Sequence, residues 1–64
     1  MNNSAEHIYI DLIPGTRIRS ACNDAVRIAN FANCTVSFYF NTVQISVTKD
    51  TNPDDAVAMY YSEF

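Results

Sequence analysis

Glycine is nearly missing from this sequence, with Gly15 as the only one. Loops that cradle phosphates need several glycines so that backbone N–H groups can approach the anion, so that class of nucleotide site is excluded. Cysteine is almost as scarce, represented by Cys22 and Cys34 alone. Two thiols cannot make a disulfide scaffold, and without CxxC spacing they form no zinc or thiol-redox motif. Both fall on apolar faces, where a free thiol acts as a small hydrophobe. Histidine occurs once, as His7 at the start of the first extended segment, where a surface side chain at a chain end is expected. No serine sits in a Gly-x-Ser-x-Gly elbow, so no nucleophile has an evident base. No run approaches the roughly 18 apolar residues needed to cross a bilayer. Residues 1–6 carry neither a basic stretch nor an apolar core, so no signal peptide is expected and the chain is placed in a host-cell cytoplasm. Without secretion, the glycosylation patterns at Asn2 and Asn33 carry no meaning.

Basic residues are also few. Four Lys and Arg stand against seven Asp and Glu, for a net charge of −3. In the first half Glu6, Asp11 and Asp24 balance Arg17, Arg19 and Arg27, while in the second Asp50, Asp54, Asp55 and Glu63 face only Lys49. A phosphate backbone is gripped mainly by Lys and Arg, so direct nucleic-acid binding is not expected. A basic protein surface is the better electrostatic match.

What remains is a folding composition. The 64 residues are 48% hydrophobic and 17% charged, which suits one small globular domain over residues 1–64, with residues 1–6 expected to be flexible. A chain this short needs most of its apolar residues in the core, leaving few for the walls of an enzyme cleft.

The hydrophobic pattern predicts a β-α-β-β-α order. Ile8, Ile10 and Leu12 alternate with Tyr9 and Asp11 in a first strand over 7–13, which Pro14 and Gly15 end. Thr16 is the expected cap of a helix over 17–32. Ile18, Ala21, Cys22, Ala25, Ile28, Ala29 and Ala32 form its apolar stripe. Phe31 falls outside that stripe: either it tucks inward where the last turn unwinds, or it is an exposed aromatic of the kind an interface uses. Over 34–48 two alternating runs flank Asn41 and Thr42, predicting a tight hairpin that pairs Phe40 with Val43, Phe38 with Ile45 and Val36 with Val47. Asn52, Pro53, Asp54 and Asp55 announce a second helix, with Val57, Tyr60, Tyr61 and Phe64 on its stripe. The expected fold is α+β: a three-stranded sheet with two helices on one face and the first two strands parallel. The first strand could lie beside either of the others. The opposite face, with Thr35, Ser37, Tyr39, Gln44, Ser46, Thr48, Tyr9 and Asp11, is expected to be open to water.

Neither carboxylate pairing nor metal spacing appears. Asp54 and Asp55 diverge as helix neighbours, and Asp50, Asp54 and Asp55 lack the alternation, glycine and distant glutamate of a calcium loop. No enzymatic activity and no cofactor are therefore expected. Two candidate binding surfaces stand out: the sheet face with Tyr9 and Tyr39, and the acidic series Asp50, Asp54, Asp55 and Glu63. The element order resembles an RNA-recognition domain missing its last strand, but the basic and aromatic motif of that family is absent.

In its size, acidity, tyrosine-rich polar surface and lack of catalytic motif, the chain resembles the anti-CRISPR proteins of phages and mobile elements. These share no common motif, so no residue role carries over. The resemblance implies an inhibitor, a DNA mimic in charge, that binds a type I surveillance complex, through a basic Cascade subunit, and blocks engagement of target DNA. The alternative expectation is an interaction or assembly module using its sheet, either as a homodimer through an edge strand or by stacking a ligand on Tyr9 and Tyr39.

Overall fold

In the computed structural model, which describes residues 7–63, five elements follow one another: β1 (His7–Ile10), α1 (Ile18–Ala32), β2 (Thr35–Phe40), β3 (Val43–Val47) and α2 (Pro53–Tyr61). The sheet order is β1-β2-β3, with β1 parallel to β2 and β3 antiparallel to it. The β-α-β-β-α expectation holds, and β1 takes its place beside β2.

The hairpin has the predicted register, with Phe40 opposite Val43, Phe38 opposite Ile45 and Val36 opposite Val47. Asn41 and Thr42 both have positive φ, 50° and 69°, as a two-residue turn of type I′ requires. Asparagine accepts that region readily, whereas β-branched threonine is strained there. Before α1, Pro14 and Gly15 form the middle of a turn closed by Thr16 N–H donating to the Ile13 carbonyl at 3.0 Å. Gly15 has φ 94°, the value such a turn demands at its third position.

α1 lies over the sheet on a stripe of mostly small side chains. Ile18, Ala21, Cys22, Ala25 and Ala29 are buried against Val36, Phe38, Ile45 and Val47, with Ala56, Val57 and Tyr60 of α2 completing the core. Burial pushes the Cys22 thiol pKa up, against a weaker downward pull from the charge of Arg19. α2 begins as expected: the Asn52 side chain accepts a hydrogen bond from Asp54 N–H at 2.9 Å and Pro53 takes the first turn.

Several expectations are corrected. β1 ends at Ile10 rather than continuing to residue 13, because Pro14 lies too close for the ladder to extend, and Ile13 is exposed. Thr16 does not cap α1. Its hydroxyl donates to the Ile13 carbonyl at 2.6 Å, and Arg17 occupies the cap position without a side-chain bond. Phe31 does not tuck inward but is 93% exposed. α1 stays regular to Ala32 and then stops at Asn33, whose left-handed backbone returns its N–H to the Ala29 carbonyl, so no turn unwinds to carry the ring inward. Ala32 is likewise exposed and Ile28 half-buried. Tyr61 is exposed because Ala56, Val57 and Tyr60 centre the buried stripe of α2 and the helix ends as Tyr61 turns off it. Residues 1–6 and Phe64, for which flexibility and core packing were expected, lie outside the described residues.

The strained turn gives a direct test of the hairpin. Replacing Thr42 with glycine removes a cost of about 1–3 kcal/mol for the left-handed backbone and adds about 0.5–1 kcal/mol of glycine entropy. Thr42→Gly is therefore expected to raise the urea midpoint by the equivalent of roughly 1 kcal/mol, and an unchanged or lower midpoint would contradict the type I′ assignment.

Candidate interaction surface

The sheet face turned away from the helices is built by alternation. His7 and Tyr9 of β1, Thr35, Ser37 and Tyr39 of β2, and Gln44 and Ser46 of β3 point to it, because their strand neighbours point into the core. None of the described strand residues is Asp, Glu, Lys or Arg. The face is therefore hydroxyl-rich, and the described strand residues bring no fixed charge to it.

Tyr9 and Tyr39 dominate it, at 66% and 61% exposure. The register sets Tyr9 beside Ser37, so Tyr39 is the diagonal neighbour, about 8 Å away by ordinary sheet spacing. The His7 and Tyr9 rings stack, with centroids 4.5 Å apart and planes 2° from parallel.

Ser37 is the exception to the open face. It was expected to meet water but is fully buried, because neighbours on both flanking strands close over it. Its Oγ lies 2.6 Å from His7 Nε2 and 2.7 Å from Ser46 Oγ. A hydroxyl has one donor and two acceptor sites, so Ser37 links an edge strand to the other edge strand through one continuous chain of hydrogen bonds. His7 is at the surface, as expected, and its ring is anchored there by Ser37. A serine–histidine contact at this distance is also the geometry of an activated nucleophile, but Ser37 is inaccessible, and among the described residues no carboxylate bonds to His7. What the arrangement does is hold His7, and the Tyr9 ring stacked on it, in a fixed pose.

The acidic residues lie elsewhere. Asp54 and Asp55 occupy the first turn of α2 and Asp50 the turn before it, all exposed. Asp54 is ion-paired with Arg19 of α1. Glu63 follows the opposite end of α2, about 13 Å from Asp54 by helical rise, so the structure does not bring all four together. Among the described residues there is no group of His, Cys, Asp and Glu that could hold a metal ion, and no helix long and apolar enough to cross a membrane.

Sequence reasoning missed the His7–Ser37–Ser46 chain, since nothing local fixes which strand lies beside the first. It also missed a cleft of about 600 Å³ between the start of α1, the hairpin end and α2, which few residues were expected to be able to wall. Comparison of the chain with protein-family models, curated proteins and solved structures gave no match.

The chain of hydroxyls predicts a modest structural role. Ser37→Ala removes two hydrogen bonds whose other partners reach water, so a loss of about 1–2 kcal/mol in urea unfolding is expected, together with loss of ring–ring contacts between His7 and Tyr9 in NMR spectra. Unchanged stability and unchanged ring contacts would mean that Ser37 anchors nothing.

Proposed function

We propose that this chain is a non-enzymatic binding protein that engages a protein partner in the cytosol through its open sheet face. The observation that carries this reading is the exposed tyrosine pair Tyr9 and Tyr39, the first of them stacked on His7, on a face of serine, threonine and glutamine. Tyrosine offers a large, stiff, amphipathic contact area at low entropy cost, and small hydroxyl side chains adapt their hydrogen bonds around it. The stacking against His7 and the bond from His7 to Ser37 reduce that cost further, because part of the platform is already ordered. The lack of Lys and Arg on the strands argues against a nucleic-acid backbone as the ligand.

A second reading rests on Asp50, Asp54 and Asp55 at one end of α2. These carboxylates suit contact with a basic nucleic-acid-binding surface, as in the anti-CRISPR class of inhibitors that block DNA engagement by a type I surveillance complex. The pairing of Asp54 with Arg19 weakens that surface, and Glu63 stands apart from it.

Capture experiments separate the two. A tagged chain expressed in its host cell and recovered with its partner supplies the binding assay. Tyr9→Ala and Tyr39→Ala are each expected to weaken binding about 30-fold, the equivalent of a 2 kcal/mol hot spot. Reversal of Asp54, Asp55 and Glu63 to lysine is expected to change it little. The opposite pattern, with tyrosine variants binding normally and the lysine variant failing, would replace the sheet-face reading with the acidic one.

A further inference from the structure

The cleft between the two helices and the hairpin end is a second, independent surface. Its volume of about 600 Å³ falls in the range of small-molecule sites. Two kinds of side chain line it. Phe40, Tyr60 and Tyr61 make an aromatic wall, in which Tyr60 meets Phe40 edge-on at 5.1 Å and Tyr61 at 5.2 Å. Asn41 Nδ2 donates to the Tyr60 hydroxyl at 2.9 Å, which ties that wall to the hairpin. Arg17 and Arg19 stand on the other side.

The charge here runs against that of the whole chain. The net charge is −3 with only four Lys and Arg, yet two of those four line this cleft and no Asp or Glu does. Arg17 has no ion pair among the described residues, and Arg19 directs a single nitrogen, Nη1, to Asp54. A guanidinium carries five donors in a planar fork suited to carboxylate and phosphate, so most of the donors on both arginines remain available.

We propose that this cleft binds a small anion carried on a flat apolar ring, with the arginines taking the carboxylate or phosphate and the aromatic wall taking the ring. Aromatic surface gives the ring its contact area, and the arginines fix which end faces them. Neither half of such a ligand satisfies the whole site alone.

Phenyl phosphate is the probe, titrated into the isotopically labelled full chain and followed by NMR, with inorganic phosphate and phenol as separate controls. The expected result is saturable movement of the Arg17 and Arg19 amides and of the Tyr61 ring, with phenyl phosphate binding at least tenfold more tightly than either control. Benzoate binding in the same place also supports the site, since the recognised chemistry is the anion on the ring. Arg17→Gln and Tyr61→Ala, both at exposed positions, are each expected to weaken binding about tenfold, while Tyr39→Ala leaves it unchanged. The proposal is overturned if no saturable movement occurs, if inorganic phosphate binds as tightly as phenyl phosphate, or if Arg17→Gln binds normally. Failure here leaves the sheet-face reading untouched, because the two surfaces share no residue.

Discussion

The close approach of α1 to the sheet is the constraint on which everything else depends. Ala21, Cys22, Ala25 and Ala29 present almost no bulk, and all four are buried in the core that α1 shares with the sheet and α2. Interiors pack at the density of organic crystals, so larger residues here would lift the helix and open gaps above Val36 and Phe38. With the helix low, one layer of β2 and β3 side chains is enough to fill the space beneath both helices. The half-buried Ile8 and Ile10 of β1 only border that core.

A core supplied by one sheet face releases the other. A small domain has little apolar surface to spare, and here Tyr9 and Tyr39 are left outside rather than drawn in. The buried Ser37 ties the three strands together in the middle of that face and holds His7, on which the Tyr9 ring stacks. On the helix side, the same packing leaves the start of α1 and the end of α2 slightly apart near the hairpin, which opens the arginine-lined cleft. Two chemically distinct surfaces, one of hydroxyls and tyrosines and one lined by two arginines, thus follow from a single packing arrangement in an acidic chain.

The hairpin was legible in the sequence because its signal is local: strict alternation on both sides of Asn41 and Thr42 allows one register, and Asn52-Pro53 marks the second helix just as directly. The tyrosine pair was also legible, since alternation alone sends Tyr9 and Tyr39 to the face opposite Ile8 and Phe38. Other features depended on contacts that no local pattern encodes. Parallel pairing of β1 with β2 decides that His7 meets Ser37, and the sequence left the neighbour of the first strand open. Whether Phe31 lies inside turned on a loosened last turn, and Asn33 instead closes the helix abruptly, which leaves the ring exposed. The acidic series looked continuous in the sequence, yet the length of α2 separates Glu63 from the rest. The cleft required knowing that Arg17 and Arg19 approach Tyr60 and Tyr61 in space.

The central claim is that the core consumes one face of the sheet and leaves the other for contact. NMR of the tyrosine rings with a soluble paramagnetic agent tests it most directly. Strong broadening of Tyr9 and Tyr39 with protection of Tyr60 in the free chain, and protection of all three once the captured partner is bound, is the predicted result. Tyr9 and Tyr39 shielded as fully as Tyr60 in the free chain, or still broadened in the complex, would contradict the account.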